Sequence, residues 1–458
     1  MKEMLESLFI QLTNFYINRK FADLRMLLLD TEPADIAIYM EENLEEKDFP
    51  VFFRLLPKEL ASDVFVELDS VTQELLIKSF TDKELKAVID DMFFDDAVDL
   101  IEEMPANVVK RILKTADPEN RKQINELLKY PDDSAGSMMT TEYVSLSAKM
   151  TISSAIDKIR KTGLNKETIY TCYVTDTKKH LIGVVTVKDL LLSDNDCLVE
   201  DVMDSNVVTV ETLEDKEEVA FRFSKYDFLA LPVVDKEGCI VGIVTVDDAV
   251  DVLQEEATED IQKMAAILPT EKPYLKQSIF SIFKARLPWL LLLMISATFT
   301  SLILSDYEES LIAVGGGVLI AFVPMLMGTA GNAGGQSSVT IIRALATGEV
   351  QLKDVFRVLL KELIASLTLG LVVSAICFLK LLFIDRLYYP EINATIALVV
   401  SFVLLLTLVM AKIVGCLLPL IAKKIKLDPA VMASPFMTTI VDALSLIIYC
   451  AISIAILA

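Results

Sequence analysis

The stretch DPAVMASPFMTTIVDALSLIIYCAISIAILA (428–458) decides the reading of this chain, because residues 430–458 hold a single charge, Asp442. An apolar run of this length crosses a bilayer as a helix, which needs about 20 residues. A carboxylate at that depth costs roughly 2.5–3.5 kcal/mol on insertion scales, so chains keep one where it faces a cavity, an ion or a partner. Asp442 therefore points to a pathway for cations.

Four further apolar segments precede it, near 287–305, 311–342, 359–384 and 394–421, with the fifth at 429–457. The second is overlong and carries GGG (315–317) and MGTAGNAGGQ (327–336), so its later part is expected to break or to line a cavity. On this placement Asp442 is the only acid deep inside a span. The connections DYEES (306–310) and DRLYYPEIN (385–393) hold no base except Arg386. The alternate connections hold Arg343, Lys353, Arg357 and Lys361, then Lys423, Lys424 and Lys426, and Lys284 and Arg286 precede the first span. Basic loops stay inside, so these sides are cytoplasmic and the C-terminus is extracellular. Five spans, an odd number, fit a multi-pass protein of the cell membrane with that arrangement.

Charge separates the chain into halves. Its formal net charge is −23, yet from Leu287 onward ten basic and ten acidic side chains cancel. The acid excess therefore lies in residues 1–286, which disfavours nucleic acid and anionic lipid and favours cations as partners. The opening MKEMLESLFIQLTNFYINRKF is too charged for a secretory signal. Six scattered cysteines without a CxxC pair, and His180 as the single histidine, point to buried free thiols rather than a disulfide framework or a Zn or Cu site.

The acidic half contains a repeat. HLIGVVTVKDLL (180–191) and CIVGIVTVDDAV (239–250) share an apolar strand, G-x-x-T and an Asp three residues after the Thr. Each follows another short strand, TCYVTD or ALPVVD, and a lead-in segment, SMMTTEYVSL or DVMDSNVVTV. The spacing of about 60 residues suits two β-α-β-β-α units, and the pair looks like a tandem of CBS domains. In such pairs this turn often binds adenine nucleotides. At Thr186 and Asp189 the hydroxyl and carboxylate suit ribose while the helix start suits phosphate. The same two residue types also make a helix cap, so the turn reads either way. The second turn, with Thr245 and the pair Asp247–Asp248, suits a cation better than phosphate.

Residues 1–130 read as helices, and FFRLLPKELASDVFVEL (52–68) resembles DLIEEMPANVVKRIL (99–113), as in stacked helical hairpins forming a short superhelix. Within DDMFFDDAVDLIEE (90–103), Asp91, Asp95 and Asp99 recur every fourth residue. Such a stripe reads as a solvated acidic face or as a metal site. The pattern returns in TVDDAVDVLQEEATEDIQKMAAIL (245–268), where Asp247, Asp251, Glu255 and Glu259 lie four apart beside Asp248, Glu256 and Asp260. Val250, Leu253, Ile261 and Met264 are expected on the opposite, apolar face. Two acidic faces held apart by repulsion and bridged by divalent cations would make a bistable switch.

In order and spacing, SAGSMMT (134–140), DVLQEEATEDIQKMA (251–265), GNAGGQSSVTIIRALATGEV (331–350) and DPAVMASPFMTTIVDALSLIIY (428–449) resemble the MgtE family of magnesium transporters over almost the whole chain. The resemblance implies a mixed architecture. An all-α superhelical N domain (1–130) precedes an α/β tandem CBS pair (131–248). A connecting plug helix (249–285) and a pore domain of five transmembrane helices (286–458) follow. It implies a homodimer with its pore between subunits, Asp442 holding hydrated Mg²⁺, and the Asn332 turn and Thr438 backbone on the same path. It also implies regulatory Mg²⁺ sites at Asp95, Asp99, Asp227, Asp248, Asp251, Glu255, Glu256, Glu259 and Asp428, with ATP a possible further ligand at Thr186 and Asp189.

The residue chemistry agrees. Mg²⁺ sheds water reluctantly, so a path for it needs few direct ligands and oxygen-lined walls. Asp442, Asn332 and the Thr438–Thr439 pair offer those oxygens, and Pro435 is expected to free backbone carbonyls. The expected function is channel-like Mg²⁺ uptake into the cytoplasm down the electrochemical gradient, closed by cytosolic Mg²⁺. The alternatives are transport of Co²⁺ or Mn²⁺, Na⁺-coupled export, or a CBS-regulated membrane enzyme. The last lacks a P-loop or a nucleophile with its base.

Overall fold

The structure is a computed structural model that describes every residue except Met1, Glu271 and Ala433, and Lys2, Glu59 and Ser434 by backbone alone. The chain forms two compact units, Met1–Glu256 and Ala257–Ala458.

In the first unit ten helices run from Lys2 to Leu127, each 5 to 16 residues long. Their starts follow from local chemistry. Asp69 accepts from the amides of Val71 and Thr72, Thr81 and Glu84 form a capping box, and Pro57 and Pro105 each precede a helix as fixed extended residues. Alternate helices stack: Pro33–Asn43 on Lys58–Val66, that on Asp82–Ile89, and that on Ala106–Thr115. The result is the expected superhelix.

Two three-stranded sheets follow, β1 (Ser145–Ser147), β2 (Thr171–Thr175) and β3 (Leu181–Thr186), then β4 (Val210–Glu211), β5 (Ala230–Val234) and β6 (Ile240–Thr245). In each, the first strand pairs parallel to the second and the second antiparallel to the third. The G-x-x-T glycines explain how the repeats join. A Cβ on Gly183 would meet Met203 Sδ at 2.6 Å, and one on Gly242 would meet Met139 Sδ and the Thr140 carbonyl oxygen, both at 2.7 Å. Each strand is thus covered by the other repeat's lead-in segment, with paired backbone bonds Val184–Asp204 and Ile243–Thr140. Apolar residues of the superhelix and of the second repeat, such as Phe65, Leu100, Val219 and Val244, fall in one continuous core.

The helix Val246–Met264 continues from β6 and carries residues of both units. Its inward face differs from the expected one. Ala249 and Val252 are buried, and Leu253 and Met264 pack inward, but Val250 and Ile261 are 45% and 64% exposed. The position of β6 fixes the helix phase, so Asp248 and Glu256 turn toward the protein and Val250 turns away.

Among the described residues the second unit holds five helical segments long and apolar enough to cross a membrane. Span 1 is Ile279–Gly315; span 2 is Gly317–Ala321 with Val323–Ala346; spans 3, 4 and 5 are Val355–Phe383, Ala394–Lys424 and Ser434–Leu457. The expected break at MGTAGNAGGQ is absent, because Val323–Ala346 runs through it as one helix. The chain bends instead at Gly316, where φ is +67°. The later glycines serve close packing: a Cβ on Gly334 would meet Met437 Sδ at 2.5 Å and the Ala411 carbonyl at 3.0 Å. Small residues are what let membrane helices approach this closely. Asn332 is accordingly a helical residue and not part of a turn.

Candidate functional site

Carboxylates converge in the first unit. A cavity of about 340 Å³ is lined by nine of them, including Asp63, Asp95, Asp96, Glu167, Asp247 and Asp248, and by no basic residue among those described. The helix Phe94–Glu103 supplies Asp95, only 4% exposed, and Asp96. Burial, with the facing Asp248 charge, pushes Asp96 up to about 7 and Asp99 up to about 8. The same two causes push Glu167 up to about 8 and hold Asp95 well above the usual range. Burial takes Asp248 to about 6 despite the hydrogen bond that Thr245 Oγ1 donates to it at 2.6 Å. Buried carboxylates without counter-charge are relieved by protons or by cations.

The expected residues distribute unevenly. Asp95, Asp99, Asp248 and Asp251 belong to this acidic region, Asp251 facing Glu67. Glu255 acts on Asp99 and lies 4.0 Å from Lys216, which also feels Glu256. Asp227 is elsewhere: it is an exposed left-handed C-cap at φ 54°, outside the cavity. Asp91 precedes its helix instead of lying on it, so it does not stack on Asp95 along a helical face. Among residues not singled out, Asp63 and Glu67 carry a legible i, i+4 signal, whereas Glu167 lies in a loop with none. Among the described residues no three His, Cys, Asp or Glu side chains form a set that would hold a bare ion.

In the second unit Glu259 and Asp428 meet through a lysine. Lys263 Nζ lies 2.8 Å from Glu259 and 2.7 Å from Asp428. Asp428 also accepts from the Ala430 amide at 2.8 Å, fixing the turn before span 5. Burial and the Asp428 charge raise the neighbouring Asp260.

The turn after β3 is a reciprocal cap. Thr186 Oγ1 donates to Asp189 Oδ2 at 2.5 Å, and the Asp189 amide donates to Thr186 Oγ1 at 3.1 Å. The capping role is therefore filled, and the carboxylate still has a second oxygen.

Around Asp442 the walls are sparse. A cavity of about 450 Å³ between spans 1, 2 and 5 holds its carboxylate with Thr300, Ser301 and Thr439, among apolar side chains. A Cβ on Gly331 would lie 3.4 Å from Thr438 and 3.7 Å from the Asp442 carboxylate. No hydrogen bond or ion pair to that carboxylate occurs among the described residues. The hydroxyls of Thr438 and Thr439 both donate to the Pro435 carbonyl, at 2.9 and 3.1 Å, so that carbonyl is engaged. Their lone pairs remain for a cation. Asn332 is exposed on the outer face of span 2, where Gln336 and Thr340 follow at helical spacing.

Asp442 is not the only acid among the spans. Glu362 in span 3 accepts a hydrogen bond from Ser337 of span 2 at 2.8 Å and lies 3.7 Å from Lys412 of span 4. Lys412 also donates to Ser337 at 3.3 Å and is 9% exposed. A lone lysine at the centre of a span costs roughly 2.5–3.5 kcal/mol, so its carboxylate partner is required. The signal was in the sequence: Lys412 is the one charge between Ala394 and Ala422.

Comparison with known proteins places these features. Residues 323–452 match the family model described as MgtE, divalent cation transporter; 31–133 match the MgtE intracellular N domain; 135–195 and 199–255 match CBS domains. The magnesium transporter MgtE of Thermus thermophilus is 36% identical over 435 residues, covering 94% of both chains. The chain belongs to the MgtE family of magnesium transporters. The MgtE of Bacillus subtilis is 33% identical, covering 95% of this chain and 94% of that one. The solved cytosolic domain of the Mg²⁺ channel MgtE in complex with ATP is 34% identical, with a TM-score of 0.51 over 53% of this chain and 99% of its own. The family's transported ion is Mg²⁺ and its members are not enzymes, which removes the membrane-enzyme alternative.

Proposed function

We infer that the chain conducts Mg²⁺ into the cytoplasm down its electrochemical gradient, past Asp442, and that cytosolic Mg²⁺ closes the path. The observation that carries the reading is the pairing of charges. The acidic cavity has nine carboxylates and no base, and Asp442 has no partner among the described residues, while Glu362 is compensated. A hydrated divalent ion suits both places, since Mg²⁺ keeps several waters and binds through few carboxylates.

In this reading Asp95, Asp99, Asp248, Asp251, Glu255 and Glu256 collect Mg²⁺ in the first unit. Glu259 and Asp428 do so in the second, where Lys263 stands as a tethered cation between them. Asp227, outside the cavity, would be a peripheral ligand of the regulatory set. The outward stripe of Asn332, Gln336 and Thr340 faces a second subunit across the pore, since polar side chains toward lipid are costly and a homodimer would shelter them. Thr438 borders the same path. ATP bound at Thr186 and Asp189 would adjust the Mg²⁺ response; the cytosolic domain of a related Mg²⁺ channel is known in complex with ATP. The basic loops support a cytoplasmic N-terminal region and an extracellular C-terminus.

The test is a flux assay in proteoliposomes with Mg²⁺, Co²⁺ or Mn²⁺ outside, with and without a Na⁺ gradient, and with Mg²⁺ on the cytosolic face. Flux that follows membrane potential, ignores Na⁺ and stops as cytosolic Mg²⁺ rises is expected. Flux that requires the Na⁺ gradient would overturn the channel-like reading.

A further inference from the structure

Lys412, Glu362 and Ser337 bring one polar group from each of spans 4, 3 and 2 to a single point. Ser337 is 2% exposed, Lys412 is 9% exposed, and the Glu362 side chain is 19% exposed. Ser337 donates to the carboxylate and accepts from the ammonium, so the hydroxyl completes a closed three-way link.

The link stands beside an unusually bare helix crossing. A Cβ on Gly415 would lie 2.2 Å from the Gly334 carbonyl oxygen, and Gly334 itself abuts the Ala411 carbonyl. Backbones that touch through glycines approach closely, and the apolar packing of Ile341 and Leu345 on Cys416 and Leu420 lies farther along the same two helices. A buried polar link is one device that fixes such a register. Gly331, Gly334 and Ser337 follow one another at three-residue intervals along span 2. Gly331 abuts Thr438 and Asp442. Six helical residues, about 9 Å of rise, separate the link from the ion path, short enough for the helix to turn as a rigid piece.

We propose that Lys412 is a positioning residue of the ion path: its pairing with Glu362 through Ser337 sets the rotation of span 2 and so the distance of Gly331 from Thr438 and Asp442 on span 5. The proposal rests on the reading of Asp442 as part of the path.

The experiment measures Mg²⁺ uptake by full-length protein in proteoliposomes, normalised to folded protein, as KM and maximal rate. Lys412→Met and Glu362→Gln are each expected to raise KM by about tenfold, within the range of network mutations. The double variant Glu362→Gln/Lys412→Met removes both charges and carries the test if a single variant fails to fold. It is expected to fold as well as the parent but to keep the raised KM. Lys412→Arg, which keeps the charge and the donors, is expected to return most of it. A double variant with parental KM would overturn the proposal, because the pair would then only neutralise itself. Asp442→Asn is run alongside: parental uptake there overturns the path reading itself, whereas loss of uptake with a parental double variant overturns only the positioning role.

Discussion

The acidic cavity of the first unit and the Asp442 cavity of the second are similar in size, about 340 and 450 Å³, and opposite in charge economy. The first gathers nine carboxylates with no base among the described residues, so their mutual repulsion raises every affinity for a cation together. The second presents one carboxylate among hydroxyls and apolar side chains, and Glu362, a further acid among the spans, is matched by Lys412. Many coupled charges make a binder whose occupancy changes steeply with concentration. One isolated charge makes a site that an ion can enter and leave. Sensing and conduction of one ion thus call for different numbers of the same side chain.

The contrast breaks most directly at Asp442. Asp442→Ala is expected to lower Mg²⁺ uptake by about a hundredfold while leaving a folded protein, as measured by liposome flux and size-exclusion profile. Retained uptake would mean that the membrane cavity is not the path. Next comes the sensing side. Asp95→Asn combined with Asp248→Asn is expected to raise the cytosolic Mg²⁺ needed for half-closure by about tenfold, a usual size for coupling between sites. An unmoved closure curve would reduce the cavity to a solvated acidic surface. A smaller effect, about threefold toward lower Mg²⁺, is expected for Lys263→Met, which frees Glu259 and Asp428 for the metal. A shift toward higher Mg²⁺ would make Lys263 a strut instead of a competitor.

Acidity gives the mildest test. Asp96, Asp99, Glu167 and Asp248 have folded-state values of about 7, 8, 8 and 6, above those of an unfolded chain. Their contribution to stability is therefore complete below about pH 4 and lost as pH rises through 6 to 8. Without Mg²⁺ the thermal transition of the acidic unit should fall by about 3 °C between pH 5.5 and 8.5, read by calorimetry of the full chain. Saturating Mg²⁺ should flatten that slope. A transition that rises with pH would contradict the uncompensated cavity.

How much of this was legible in the sequence depended on range. The strands around Gly183 and Gly242, the capping prolines and the five apolar runs are local patterns, and each was readable. The phase of Val246–Met264 was not, because β6 and not the helix's own apolar residues decides which face turns inward. The unbroken helix through Gly331–Gly335 was also hidden: glycine weakens an isolated helix, but close neighbours such as Ala411 and Met437 fill the space. Asp95 and Asp248 could be suspected from spacing, whereas Glu167 joins them only through the fold. Lys412 was readable by the cost that marks Asp442. Its pairing with Glu362, 50 positions away, was not.

The crossed lead-in segments of the two β repeats carry a consequence for anyone dividing this molecule. Met139 and Thr140 cover Gly242, and Met203 and Asp204 cover Gly183, so each half wears the other's sleeve. A cut near residue 197, between the two matched repeats, would yield two fragments that each expose a bare glycine strand and an orphaned peptide. The pair is therefore one folding piece, because each repeat's strand is completed by backbone bonds from the other's lead-in segment.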